Sequence, residues 1–135
     1  MASEVDRVMG QLDQFAERVI TKLTLDITAN LKEATPVDTG WARANWVARI
    51  GAPLVETQTP GERTTAAARG READSQASLA VVLSSYRLEG GAVYISNNVP
   101  YISRLNSGSS RKAPAGFVQR AIEKGVTTDL LSLRT

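Results

Sequence analysis

Val5, Val8, Leu12, Phe15, Val19, Leu23, Ile27 and Leu31 recur at steps of three or four in the N-terminal part of this 135-residue chain. That spacing gathers side chains on one face of an α-helix. Ser3 followed three residues later by Asp6 approximates a capping box. At the other end Pro36 has no amide to donate and pushes Thr35 out of the helical region. Together these predict one long helix over 3–35. Its early steps fit a heptad and its later ones are a uniform four, so the stripe drifts round the axis instead of forming a sustained coiled-coil seam. Packing on the chain's own core explains most of such a stripe; contact of part of it with a neighbouring subunit is the sharper alternative.

The segment Pro36-Val37-Asp38-Thr39-Gly40 is dense in turn formers, with proline fixing one dihedral, Asp38 able to bond its own backbone and Gly40 free to take positive φ. From Trp41 to Ile50 the residues alternate, with Ala42, Ala44, Trp46, Ala48 and Ile50 on one side and Trp41, Arg43, Asn45, Val47 and Arg49 on the other. Period two predicts a half-buried strand over 41–50. Residues 52–73 are rich in Thr, Ala, Gly, Pro, Glu and Arg without an apolar period, and read as a long mobile loop or a docking arm.

Asp74 or Ser75 can cap a second helix over 74–86, in which Leu79, Val82, Leu83 and Tyr86 share a face; Val81 and Val82 keep a strand reading open. Glu89-Gly90-Gly91 is a turn before a second strand over 92–97, where Val93 and Ile95 alternate with Tyr94 and Ser96. Tyr101, Ile102 and Leu105 suit one helical turn, ended by Asn106 to Ser110. A last helix is expected over 114–126, with Pro114 in its first turn and Phe117, Val118, Ala121, Ile122 and Val126 on its apolar face, and with Gly125 as an interruption. Residues from Thr127 either continue it or peel away. The fold class is therefore α+β: a single domain over 1–135 with long N- and C-terminal helices on a small antiparallel sheet and a long insertion loop.

Composition narrows the chemistry. At 42% hydrophobic and 22% charged, the chain is too apolar to be disordered throughout. It contains neither cysteine nor histidine. Disulfides, thiolate metal sites and thiol nucleophiles are excluded, and with histidine go the commonest general base and the usual zinc ligand. Carboxylates, lysines and hydroxyls remain, so an enzyme using a bound magnesium ion is a minor alternative; no cofactor is expected. The longest apolar run, Leu79 to Leu83, is far short of the roughly 20 residues that span a bilayer, and Glu4 and Asp6 stand where a signal peptide would be basic. A soluble protein without a membrane partner is the expectation.

Three segments carry a resemblance. They are Thr35-Pro36-Val37-Asp38-Thr39-Gly40-Trp41-Ala42-Arg43-Ala44-Asn45-Trp46, Val93-Tyr94-Ile95-Ser96-Asn97-Asn98-Val99-Pro100-Tyr101, and Leu105-Asn106-Ser107-Gly108-Ser109-Ser110-Arg111-Lys112-Ala113-Pro114-Ala115-Gly116-Phe117-Val118. In this order, after a capped N-terminal helix, the sequence resembles the tail-completion or neck proteins of long-tailed bacteriophages, a family that includes proteins similar to the minor tail protein Z of phage lambda. Residues 52–73 look like a variable insertion. Apart from any family, Asp38, Thr39, Asn97, Asn98 and Asn106 can satisfy orphan backbone groups, and Gly40, Gly108 and Gly116 permit angles or close approaches closed to other residues.

The resemblance implies a structural virion protein at the head–tail junction, present in the host cytoplasm during assembly and without catalysis. Its partners would be copies of itself in a cyclic ring, with six copies the first guess. Beyond the ring they would be a tail terminator or tail tube protein, a head–tail connector or head completion protein, and DNA passing through the channel without sequence preference. A tail terminator role and a small non-specific DNA-binding module are the alternatives. Trp41, Arg43, Trp46 and Tyr101 are the interface candidates, since aromatics beside turns often anchor contacts. From Arg104 to Lys124 the basic residues Arg104, Arg111, Lys112, Arg120 and Lys124 face a single acid, Glu123, within a chain of net charge +2. These five are the candidates for a lumen facing DNA, where attraction to phosphate is the expected term.

Overall fold

A computed structural model of the chain describes residues 3–37, 40–58, 64–108 and 115–133. The architecture is α+β, mostly helical, around a two-stranded antiparallel sheet. Helix α1 spans Glu4–Ala34; both halves of the capping box form, Ser3 accepting from the Asp6 amide and the Asp6 carboxylate from the Ser3 amide. Thr35 closes it with extended backbone, as the following proline requires.

The region read as a strand over 41–50 divides. Trp41–Ala44 form one helical turn, α2, and only Val47–Ile50 form the strand β1. Alternation over 41–46 was an accident of composition: Trp41, Ala42, Ala44, Asn45 and Trp46 are all buried, so residues of both parities face inward. Gly40, at φ +90°, makes the entry to this turn. Strand β2, Val93–Ser96, pairs with β1 so that Val47 faces Ser96 and Ile50 faces Val93.

The long loop over 52–73 is likewise corrected. Helix α3 runs from Thr65 to Ser85, about nine residues earlier than the expected Asp74 or Ser75 cap, with Thr64 Oγ1 accepting from the Ala67 amide at 3.0 Å. Ala66, Ala67, Ala68, Arg69, Arg71, Glu72 and Ala73 are good helix formers, and the buried positions Ala68 and Ser75 are small, so helix forms here without an apolar stripe. The remaining described stretch before it is pinned. Asn98 Nδ2 donates to Leu54 O and Glu56 O at 2.8 and 2.9 Å, and the buried Gln58 exchanges two hydrogen bonds with the Asn98 backbone.

Helix α4, Ile102–Asn106, is one turn, and α5 runs from Phe117 to Ser132, past the expected end at 126. Gly125 does not interrupt α5. It lies where α5 meets α1, and a Cβ there would stand 2.7 Å from Ile27 Cγ1. Two apolar clusters join the layers: Leu31, Trp46 and Ala121 with Ile27, Ile95 and Val118, and Ala48, Val82 and Tyr86 with Ile20, Ile50 and Leu79. Lys32 bridges α1 to α3 through Glu72 at 2.8 Å.

Candidate assembly surface

The three turn segments meet in one apolar cluster, to which Trp46 of the first, Ile95 of the second and Val118 of the third belong. Trp46 Nε1 donates to Thr35 Oγ1 at 2.9 Å, closing the first segment on itself. Asn97 Nδ2 donates to Ala42 O at 2.8 Å, tying the second segment to the first. Asn106 accepts the Val118 amide on its Oδ1 at 3.0 Å and the Gly116 amide on its backbone oxygen at 2.7 Å, so that a residue of α4 caps α5 from outside the helix. Asn97, Asn98 and Asn106 thus satisfy backbone groups as their chemistry allows. Asp38, Thr39, Pro114, Arg111 and Lys112 lie outside the described residues.

Two of the four interface candidates are core residues. Trp41 is 3% exposed and Trp46 5%, because the subunit itself supplies their partners. The Trp41 indole donates to Gln58 O across a long 3.4 Å, and the Arg71 guanidinium sits 5.5 Å from its ring centroid. Trp46 packs between Leu31 and Ala121. Neither ring has surface to offer a neighbour. Arg43 is exposed on α2, and Tyr101 is half-buried at the start of α4.

Of the lumen candidates, Arg104 is exposed on α4, and Arg120 and Lys124 are exposed one turn apart on α5. Arg120 Nη1 also donates to Ala115 O at 2.7 Å, which holds the guanidinium over the first turn of its helix. Asn106, the last residue of α4, bonds to Gly116, Val118 and Gln119 at the start of α5. Arg104 and Arg120 are thus carried by elements that Asn106 ties together.

A cleft of about 500 Å³ beside β1 is lined by Asn45, Arg49, Glu56, Arg71 and Asp74, a mixed-charge lining. Among the described residues no three acidic side chains cluster closely enough to hold a metal ion. No helix among them is long and apolar enough to cross a membrane.

Part of the α1 stripe, for which contact with a neighbouring subunit is the alternative to core packing, is exposed. Every residue from Ser3 to Phe15 is exposed, including Val5 (69%), Met9 (54%), Leu12 (56%) and Phe15 (47%). Among the described residues the first long-range hydrogen bond along α1 comes at Glu17, whose carboxylate accepts the Leu88 amide at 2.9 Å. The first three turns therefore stand off the body as an arm about 18 Å long. The signal was in the sequence: the heptad steps from Val5 to Val19 belong to the arm, and the uniform steps of four from Val19 to Leu31 to the part packed on the core.

A scan against protein-family models and searches of curated proteins and of solved structures find no match to this chain.

Proposed function

We propose that the chain is a structural subunit of a tailed-phage neck, a tail-completion protein that joins copies of itself in a ring between tail tube and head connector. What supports this reading is the convergence of the three turn segments. Trp46, Ile95 and Val118, one from each segment on which the resemblance rests, pack with Leu31 and Ala121 where helix, sheet and terminal helix join, and Thr35, Asn97 and Asn106 bond locally around that cluster. The work is binding, with a head-to-tail contact whose rotation closes after a fixed number of copies. Arg104, Arg120 and Lys124, exposed on the linked helices α4 and α5, suit a wall that meets DNA phosphates without reading bases.

The test is electron microscopy and light scattering of the purified protein, alone and with tail tubes. Rings with a central channel that cap the tubes are expected; a persistent monomer that ignores tails and connectors overturns the reading. The exposed basic residues also favour a second role as a small DNA-binding module. Tight binding to naked duplex with a steep loss as salt rises, and no association with tails, would select it.

A further inference from the structure

We infer that the free subunit pairs with a second copy through the exposed arm of α1, the two arms lying antiparallel. The pairing rests on the arm alone. It is a two-fold contact that closes at two copies, unlike the head-to-tail contact of a ring.

The arm carries its own register. With Val5, Leu12 and Val19 at heptad position a, Val8 and Phe15 fall at d, Met9 and Ala16 at e, and Glu4, Gln11 and Arg18 at g. Val5, Val8, Met9, Leu12 and Phe15 are 42 to 69% exposed, so the seam faces outward, and among the described residues none of its own subunit buries it. An arm of three turns without tertiary packing is a marginal helix in water, and a facing helix would supply the missing burial. Covering those five side chains on both copies removes on the order of 900 Å² from water, at the small end for specific interfaces and suited to micromolar self-association.

Charge selects the occupant and its direction. Antiparallel alignment makes four core layers, Val5 on Phe15 and Val8 on Leu12, each twice. The same alignment sets Glu4 of each copy against Arg18 of the other at the g positions and Gln11 against its own equivalent. Met9 then meets Met9 beside the two-fold axis. A parallel pair would oppose Glu4 to Met9 and Gln11 to Ala16, with no ion pair. In the isolated arm Glu4 pairs with Arg7 on its own helix, and the Arg18 guanidinium lies 6.0 Å from the Phe15 ring centroid. Both groups are exposed and can be shared across the seam.

Sedimentation of the full chain between roughly 5 and 200 µM should show a monomer–dimer equilibrium. Leu12→Asp should abolish it while the fluorescence of the buried Trp41 and Trp46 stays native, since Leu12 lies outside both core clusters. Glu4→Lys or Arg18→Glu alone should weaken pairing roughly tenfold, and the two together should restore it. Because the chain lacks cysteine, Val5→Cys and Phe15→Cys can report direction. Oxidation should cross-link a mixture of the two variants and neither one alone. A monomer at 200 µM, a dimer that survives Leu12→Asp, or cross-linking of Val5→Cys with itself overturns the inference. Rings that form equally well with Leu12→Asp, from a chain that is otherwise monomeric, would also overturn it while leaving the neck reading standing; loss of tail binding by a chain that still pairs would do the reverse.

Discussion

The Trp46 indole and the Thr35 hydroxyl bond directly across the turn that separates α1 from the sheet, and the same hydroxyl donates to Leu31 O at 2.6 Å at the end of α1. One side chain therefore serves as helix cap and as acceptor for a buried ring. Thr35→Val keeps the shape and strands the indole N–H, which should cost about 1–3 kcal/mol. Trp46→Phe removes the donor as well as some packing. If the bond is the reason for the threonine, Thr35→Val should cost much less in the Trp46→Phe background. Urea unfolding of the four proteins in a double-mutant cycle, followed by far-UV circular dichroism, measures that coupling.

How far the sequence could be read follows from which physical signal dominated each segment. Along α1 three independent signals agreed, the apolar period, the capping box and Pro36, and helix Glu4–Ala34 is what formed. Strand β2 was legible because Val93 and Ile95 do alternate with Tyr94 and Ser96. The failures share a cause. Beside Trp41, the buried side chains of α2 and of the first half of α3 are alanine and serine, whose burial depends on what packs against them and leaves little mark on hydropathy. Trp41 and Trp46 misled as anchors for the same reason: the cavity that receives them is built from Thr35, Gln58, Arg71 and Ala121, distant in sequence. The arm was visible as a heptad, but its separation from the body was not.

Gly125 lies where α5 packs tightly against α1. Alanine would favour the helix by about 1 kcal/mol, yet its Cβ would lie 2.7 Å from Ile27 Cγ1 and 3.3 Å from Asn30 Nδ2. We expect Gly125→Ala to destabilise the protein by about 1–3 kcal/mol. Ile27→Ala should recover part of that loss when combined with it, because it removes the atom that clashes. Thermal unfolding of both single variants and the double variant checks the sign of the coupling.

Asp129 on α5 is 4% exposed, and neither of its oxygens receives a hydrogen bond; Lys22 Nζ stays 3.7 Å away and bonds Asp26 instead at 2.9 Å. Burial, with the neighbouring Asp26 carboxyl adding to it, pushes the Asp129 carboxyl above the ordinary carboxylate range. The Asp129 carboxyl and the Lys22 ammonium beside it hold Asp26 below that range. The raised group favours the fold at low pH, and that contribution fades as pH rises through its folded value. The lowered group favours the fold at higher pH, and its contribution fades as pH falls through its own folded value. Stability from this pair should therefore peak between the two. Asp129→Asn keeps an N–H for Asp26 at every pH. It should remove the fall on the alkaline side and raise stability at pH 8 by about 1–2 kcal/mol. Unfolding midpoints of both proteins from acid to pH 8 test this, and parallel curves would refute it.

Gly10 sits on the arm at an open position, with nothing within 4 Å of where a Cβ would be. Its φ is not among the positive glycine values, so alanine fits the backbone without strain. Gly10→Ala should strengthen this part of the helix by about 0.5–1 kcal/mol. The gain is local, because an arm that frays apart from the body contributes little to global unfolding. Amide hydrogen exchange should slow several-fold over residues 5–15 while the global midpoint barely moves. The position falls at heptad f, on the side away from the seam, so pairing should persist or tighten as the arm becomes better ordered. If exchange slows and self-association weakens instead, the seam has been assigned to the wrong face of α1.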